Sequence, residues 1–178
     1  TYLVLMEALV RPTTDEMPPY LAGYVAKAEG NDLLHALQKA SDTLWDTVYR
    51  IPTGMAGHRY APDKWTIREL FQHLVDTERV FQYRALSFAR GDTTPLPGFD
   101  ENAWAAASRA EEREFHRILR EHDQVRGASL ALFRSFGPDQ LMAKGTADGK
   151  ACTVRTLGWA IAGHVVHHMT VVRERYLS

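Results

Sequence analysis

The chain has 178 residues, 45% of them apolar and 24% charged, which suits one domain with a core large enough to close without a disulfide or a structural metal. Lys and Arg number 21 against 22 Asp and Glu, so the net charge of −1 draws the chain neither to nucleic acid nor to an anionic membrane. The single cysteine, Cys152, excludes an internal disulfide, and no apolar run approaches the roughly 18 to 20 residues of a spanning helix, so a soluble cytoplasmic protein is the default expectation.

Thr1 to Val10 is apolar but carries Glu7 and lacks a basic leader and a cleavage site, so it reads as part of the mature chain and not as a signal peptide. The first predicted helix runs from about Asp32 to Arg50. Asn31-Asp32 offers a cap, Leu33, Leu34, Leu37, Leu44, Trp45 and Val48 recur at helical spacing, and Ile51-Pro52-Thr53-Gly54 ends it. The second runs from about Thr66 to Arg90, with Thr66 and Glu69 spaced as a capping box and Gly91 as its stop. The third is expected from about Ala110 to Phe136, before Gly137-Pro138, and the fourth from about Thr153 to Tyr176.

The connection from Asp92 to Ala107 holds Pro95-Leu96-Pro97-Gly98 and is long for a helical bundle, where about 2 to 8 residues is usual. Lys144 to Lys150 reads as a small hairpin or a plain loop. With no internal repeat, the expectation is one all-α domain over residues 1–178. It is a four-helix bundle with a long crossover connection between the second and third predicted helices.

Of the eight histidines, three fall at the rims of apolar stripes. On the second predicted helix, Ile67, Leu70, Phe71, Leu74 and Phe81 define the stripe and His73 sits at its edge. On the fourth, Val154, Leu157, Ile161, Val165, Val172 and Tyr176 define it, with His164 and His168 together at one margin. An i, i+4 pair on one face can present two imidazoles to one ion, and His73 would be the third ligand. Three protein ligands with open positions is the pattern of a catalytic metal. Spacing alone leaves the alternative standing: such pairs arise by chance, and a histidine on a stripe is often a core residue with a satisfied hydrogen bond. His167, about 100° from His168, points toward solvent and is not a ligand. His122 falls near the core stripe of the third predicted helix and reads as packing. His35, His58 and His116 have no identifiable partners.

Glu78 falls inside an apolar stripe, where an acid is costly unless paired. It could orient a ligand histidine or act as a base, but the favoured reading pairs it with an inward arginine such as Arg126 or Arg175. Asp76 is expected in solvent. Arg175 lies on the His168 face, where it could meet an anionic substrate or a protein carboxylate. Trp65 and Trp159 read as core or cap residues more than substrate platforms, and Cys152, about three turns from His164, as a buried inert thiol.

The run Tyr60-Ala61-Pro62-Asp63-Lys64-Trp65-Thr66-Ile67-Arg68-Glu69 and then His73-Leu74-Val75-Asp76-Thr77-Glu78-Arg79 resembles a helix signature of the DinB/YfiT-like superfamily. So do Arg90-Gly91-Asp92 followed by Leu96-Pro97-Gly98-Phe99-Asp100, and the tail Ala162-Gly163-His164-Val165-Val166-His167-His168 closing with Glu174-Arg175-Tyr176. The resemblance implies a four-helix bundle, often dimeric, so a homodimer is expected. It also implies a divalent ion, commonly nickel or zinc, held by His73, His164 and His168. The family includes transferases and isomerases that use low-molecular-weight thiols, and many members are described only as metal-dependent hydrolases. The expected function is therefore a metal-dependent enzyme that activates a small thiol or water for attack on a small-molecule substrate. A hydrolase, a protein that sequesters a small ligand on the metal without turnover, and a stress-related bundle with an incidental metal remain the other readings. No motif assigns the chain to a subgroup.

Overall fold

Helix formation begins where the caps are. In the computed structural model, which describes residues 9–178, Asp32 accepts a hydrogen bond from the His35 backbone N–H at 2.9 Å and opens a helix over Leu33–Val48. Thr66 and Glu69 form the reciprocal capping box for a helix over Ile67–Ala89, with Thr66 N–H donating to Glu69 Oε2 at 2.7 Å. Thr153 caps Val154–Val171 through the Thr156 N–H. Phe115–Arg134 completes the four long helices. Of three short helices, Pro19–Val25 precedes them, and Glu101–Ala107 and Pro138–Met142 lie between them. In chain order the helices are α1 (Pro19–Val25), α2 (Leu33–Val48), α3 (Ile67–Ala89), α4 (Glu101–Ala107), α5 (Phe115–Arg134), α6 (Pro138–Met142) and α7 (Val154–Val171).

The expected all-α bundle is the architecture found, with one small addition. Lys144–Ala147 (β1) and Lys150–Thr153 (β2) pair antiparallel, Lys144 opposite Thr153 and Ala147 opposite Lys150. Asp148 and Gly149 turn the hairpin with φ of +52° and +68°, the left-handed pair that a two-residue hairpin loop requires. The long crossover docks on this hairpin. Leu96 donates to the Thr146 carbonyl at 2.9 Å and accepts from the Asp148 N–H at 3.0 Å, which pins Pro97, Gly98 and Phe99 beside α3. A Cβ at Gly98 would meet Asp148 Oδ1 at 2.4 Å, so glycine lets the crossover approach the Asp148 side chain without displacing it.

α7 is the axis of the molecule. It packs against α1, α2 and α3 and is buried on every side from Val154 to Val165, as a helix that is apolar all round should be. At Gly163 a Cβ would fall 1.7 Å from the Tyr24 carbonyl oxygen, so this glycine lets α1 cross directly over α7. Beyond Val171 the helix widens into a π turn, Val172–Tyr176, and Tyr176 Oη donates to the Trp65 carbonyl at 2.7 Å. No helix among the described residues is long and apolar enough to cross a membrane.

The expectation of a third long helix from Ala110 is corrected: α5 starts at Phe115. Ala110–Glu112 is a 3₁₀ turn instead, entered through Arg109 at φ +55°, and its acids are engaged elsewhere. Glu111 accepts from the Thr66 hydroxyl, and Glu112 pairs with Arg109 at 2.8 Å. The reading of Thr1 to Val10 lies almost wholly outside the described residues.

Candidate metal centre

α3 contributes His73 and α7 contributes His164 and His168, one turn apart. Their imidazoles converge edge to face: His164 Nε2 lies 3.0 Å from His73 Nε2 and 3.0 Å from His168 Nε2. The donor nitrogens of all three rings lie within 4.8 Å of one another, and among the described residues this is the group able to hold a metal ion. Two bonds of about 2.1 Å to one ion separate their nitrogens by roughly 3.0 Å at a right angle and roughly 3.4 Å at the tetrahedral angle. The observed 3.0 Å spacings fit donors to one ion.

Hydrogen bonding alone does not satisfy this arrangement. A neutral imidazole carries one N–H and one lone pair, so His164 Nε2 can answer one neighbour and not both. Burial makes the rings neutral. It depresses the His73 pKa to about 4, and it takes His164 and His168 well below the ordinary value, with the other imidazoles adding to the effect. Neutral rings offer lone pairs, and a cation among the three nitrogens removes the conflict that protons cannot. Thr77, one turn after His73, has its hydroxyl 3.3 Å from His73 Nδ1, an outer contact that can fix the ring with Nε2 facing the centre.

Aromatic side chains frame the cluster. The Trp65 ring packs against the core as expected, and it also lies 4.7 Å from His73 and 6.5 Å from His168, stacked on the latter. Tyr24, delivered by the α1–α7 crossing, meets His164 edge to face at 5.1 Å. His167 is half-buried against Tyr24, and its ring stays outside the converging nitrogens.

Two cavities of about 180 Å³ flank the histidines. One is lined by His73 and His164 with Tyr20, Tyr24, Thr77 and Arg84, and the other by His168 with Tyr60, Lys64, Trp65 and Tyr176. A larger cavity of about 370 Å³, walled by Val80, Tyr83, Phe99 and Trp104, does not touch the histidines but shares Arg84 with the first. Tyr20, Tyr24 and Arg84 escaped the sequence reading. The available signal for Arg84 was helical phase, since it returns to the His73 face of α3.

The remaining candidates sort clearly. Glu78 takes both guanidinium bonds of Arg126 at 2.8 Å and the Ser129 hydroxyl at 2.6 Å, so its partner is Arg126; Arg175 is exposed. Burial works to raise the Glu78 carboxyl, but the Arg126 charge and hydrogen bonds outweigh it and hold it below the ordinary value. His122 is buried in the core with Nε2 3.8 Å from Glu78 Oε2. Asp76 corrects the expectation of a solvated side chain: it is half-buried, accepts from Gln72 Nε2 at 2.9 Å, and burial raises its pKa. Trp159 is fully buried, and its indole donates to the Leu9 carbonyl at 3.2 Å. Cys152 is buried, and burial pushes its thiol up to about 11, as an inert thiol requires.

Fold and cluster together define a helical bundle with three histidines placed for one divalent ion. The DinB superfamily profile matches residues 27–172, and the chain belongs to that superfamily. Its fold is similar to the solved structure of YfiT from Bacillus subtilis, described there as a probable metal-dependent hydrolase with an unusual four-helix bundle topology. The TM-score is 0.66 at 17% identity, over 95% of each chain. No curated protein matches the sequence.

Proposed function

We propose that the protein is a metal-dependent enzyme in which His73, His164 and His168 hold one divalent ion, nickel or zinc, and that it activates a small nucleophile. That nucleophile is first of all a low-molecular-weight thiol. The observation that carries the reading is the convergence of three neutral imidazole nitrogens, 3.0 Å apart in two of the pairs, beside two cavities.

When bound, a divalent ion supplies Lewis acidity that lowers the pKa of a thiol or water beside it. Three neutral ligands leave its charge uncancelled, which favours an anionic nucleophile, and soft sulfur suits nickel or zinc. The chain's own groups hold and orient. Thr77 fixes the His73 ring, Trp65 covers His73 and His168, and Tyr24 covers His164. The chain's single thiol does not compete, since Cys152 is buried with its pKa raised to about 11. Water in place of the thiol gives a hydrolase, a reading favoured by the likeness to YfiT.

The test is a screen of cellular thiols against electrophiles such as a chlorinated aromatic or a maleyl compound, with metal-loaded wild type and His73→Ala. The expected result is thiol consumption by wild type alone. Metal-dependent ester or amide cleavage indifferent to thiol replaces transfer with hydrolysis, and tight ligand binding without turnover replaces both with sequestration.

A further inference from the structure

Three arginines are buried among the described residues: Arg84, Arg126 and Arg155, each less than a tenth exposed. Two of them meet buried carboxylates, Arg126 on Glu78 and Arg155 on Glu16. Arg84, 4% exposed, has no carboxylate within ion-pair distance among the described residues. It donates one hydrogen bond to the Pro97 carbonyl at 2.8 Å and lies over the rings of Phe81 and Phe99 at 5.8 and 6.0 Å. A guanidinium carries five N–H donors and stays charged, so a single carbonyl leaves most of its capacity free for a group in the cavities that Arg84 lines.

That capacity adjoins the metal centre. Arg84 follows His73 by eleven residues on α3, about 16 Å along the axis but only about 20° around it. Side chains on a helix lean toward its N-terminus, and the contact with Phe81, three residues earlier, shows the guanidinium leaning that way, toward His73. Arg84, Phe81, Thr77, His73 and His164 line the same cavity of about 180 Å³. The two acids on that cavity, Glu101 and Asp148, are exposed, and Asp148 is held by Lys150 at 2.7 Å.

We infer that Arg84 is the anchor for a carboxylate of the substrate, so that the cavity takes an organic acid whose other end reaches the histidine cluster. Planar two-oxygen recognition is what a guanidinium does best. The second half of the statement rests on the metal reading above, whereas carboxylate capture by Arg84 does not, and the test separates them.

Chelator-treated wild type is titrated calorimetrically with phenylacetate and with phenylacetamide, an uncharged analogue of the same shape. The expected result is that phenylacetate binds at least about tenfold more tightly, a margin suited to a charge-assisted pair. Arg84→Met should reduce phenylacetate to the level of the amide, and Arg84→Lys should restore part of the difference. No arm of this titration uses a metal. The preference therefore survives even if no metal binds the histidines, in which case only the metal reading falls. Equal affinity of wild type for the two compounds, no phenylacetate binding at all, or an undiminished preference in a folded Arg84→Met protein overturns the inference.

Discussion

α3 carries two buried polar clusters that differ in one respect. Glu78 and His73 sit just over one turn apart, and each is at most 5% exposed. Glu78 is saturated from within, with two bonds from Arg126 and one from Ser129. The His73 cluster turns three Nε2 atoms toward one another, and His164 Nε2 lies 3.0 Å from both of the others. The first is closed and belongs to the core. The second is placed where one cation could be held. Burial of a polar group therefore does not by itself mark a site. The same contrast separates Arg126 and Arg155 from Arg84.

The largest expected effect lies on the closed side. Arg126→Ala strands the Glu78 carboxylate in the core and should cost about 3 to 5 kcal/mol in urea unfolding, while replacing both partners with leucine should cost far less. A small loss in the single variant would mean that water reaches Glu78 and that the two clusters are not so different.

Acid should act on closed carboxylates next. Burial alone would raise the Glu16 pKa, but bonds from Arg155, Thr13 and Thr153 bring it to about 2 from an ordinary 4.5. A carboxylate depressed in the folded state contributes stability that is fully present above the ordinary value and lost as pH falls from about 4.5 through about 2. The contribution is on the order of 3 kcal/mol, and Glu16→Gln should flatten that part of the stability curve.

On the open side, Thr77→Val removes the group that fixes His73 Nδ1 and should weaken metal binding about 10- to 100-fold with little change in stability. Competition with a metallochromic indicator reads this directly, and unchanged affinity would show that the ring needs no such support. The smallest effect is expected from chelation. Far-UV dichroism should stay nearly unchanged, because the core closes around α7 without the ion, and collapse of the helical signal would make the centre structural.

How much of this the sequence carried follows from the range of each signal. The four long helices were legible because their stripes repeat over many turns, and the Thr66–Glu69 box marked the start of α3 to the residue. α1, α4 and α6 are too short to repeat anything, so they were not expected. The start of α5 was misplaced because Glu111 serves Thr66, 45 residues away, which local propensity does not record. In the site, the i, i+4 pair and His73 were visible by phase, and the preference for pairing Glu78 with an inward arginine, Arg126 or Arg175, over a role on a ligand histidine followed from its place in a stripe. Tyr24 was hidden because it arrives through the close α1–α7 crossing at Gly163, a contact between segments far apart in the chain.

The central claim is that His73, His164 and His168 are one ligand set. The most direct measurement is the metal content of the purified protein by mass spectrometry, for wild type, His164→Ala and His167→Ala prepared in parallel. The account predicts close to one divalent ion per chain in wild type and in His167→Ala, and almost none in His164→Ala. Equal metal in wild type and His164→Ala, or loss of metal on changing His167 alone, would contradict it.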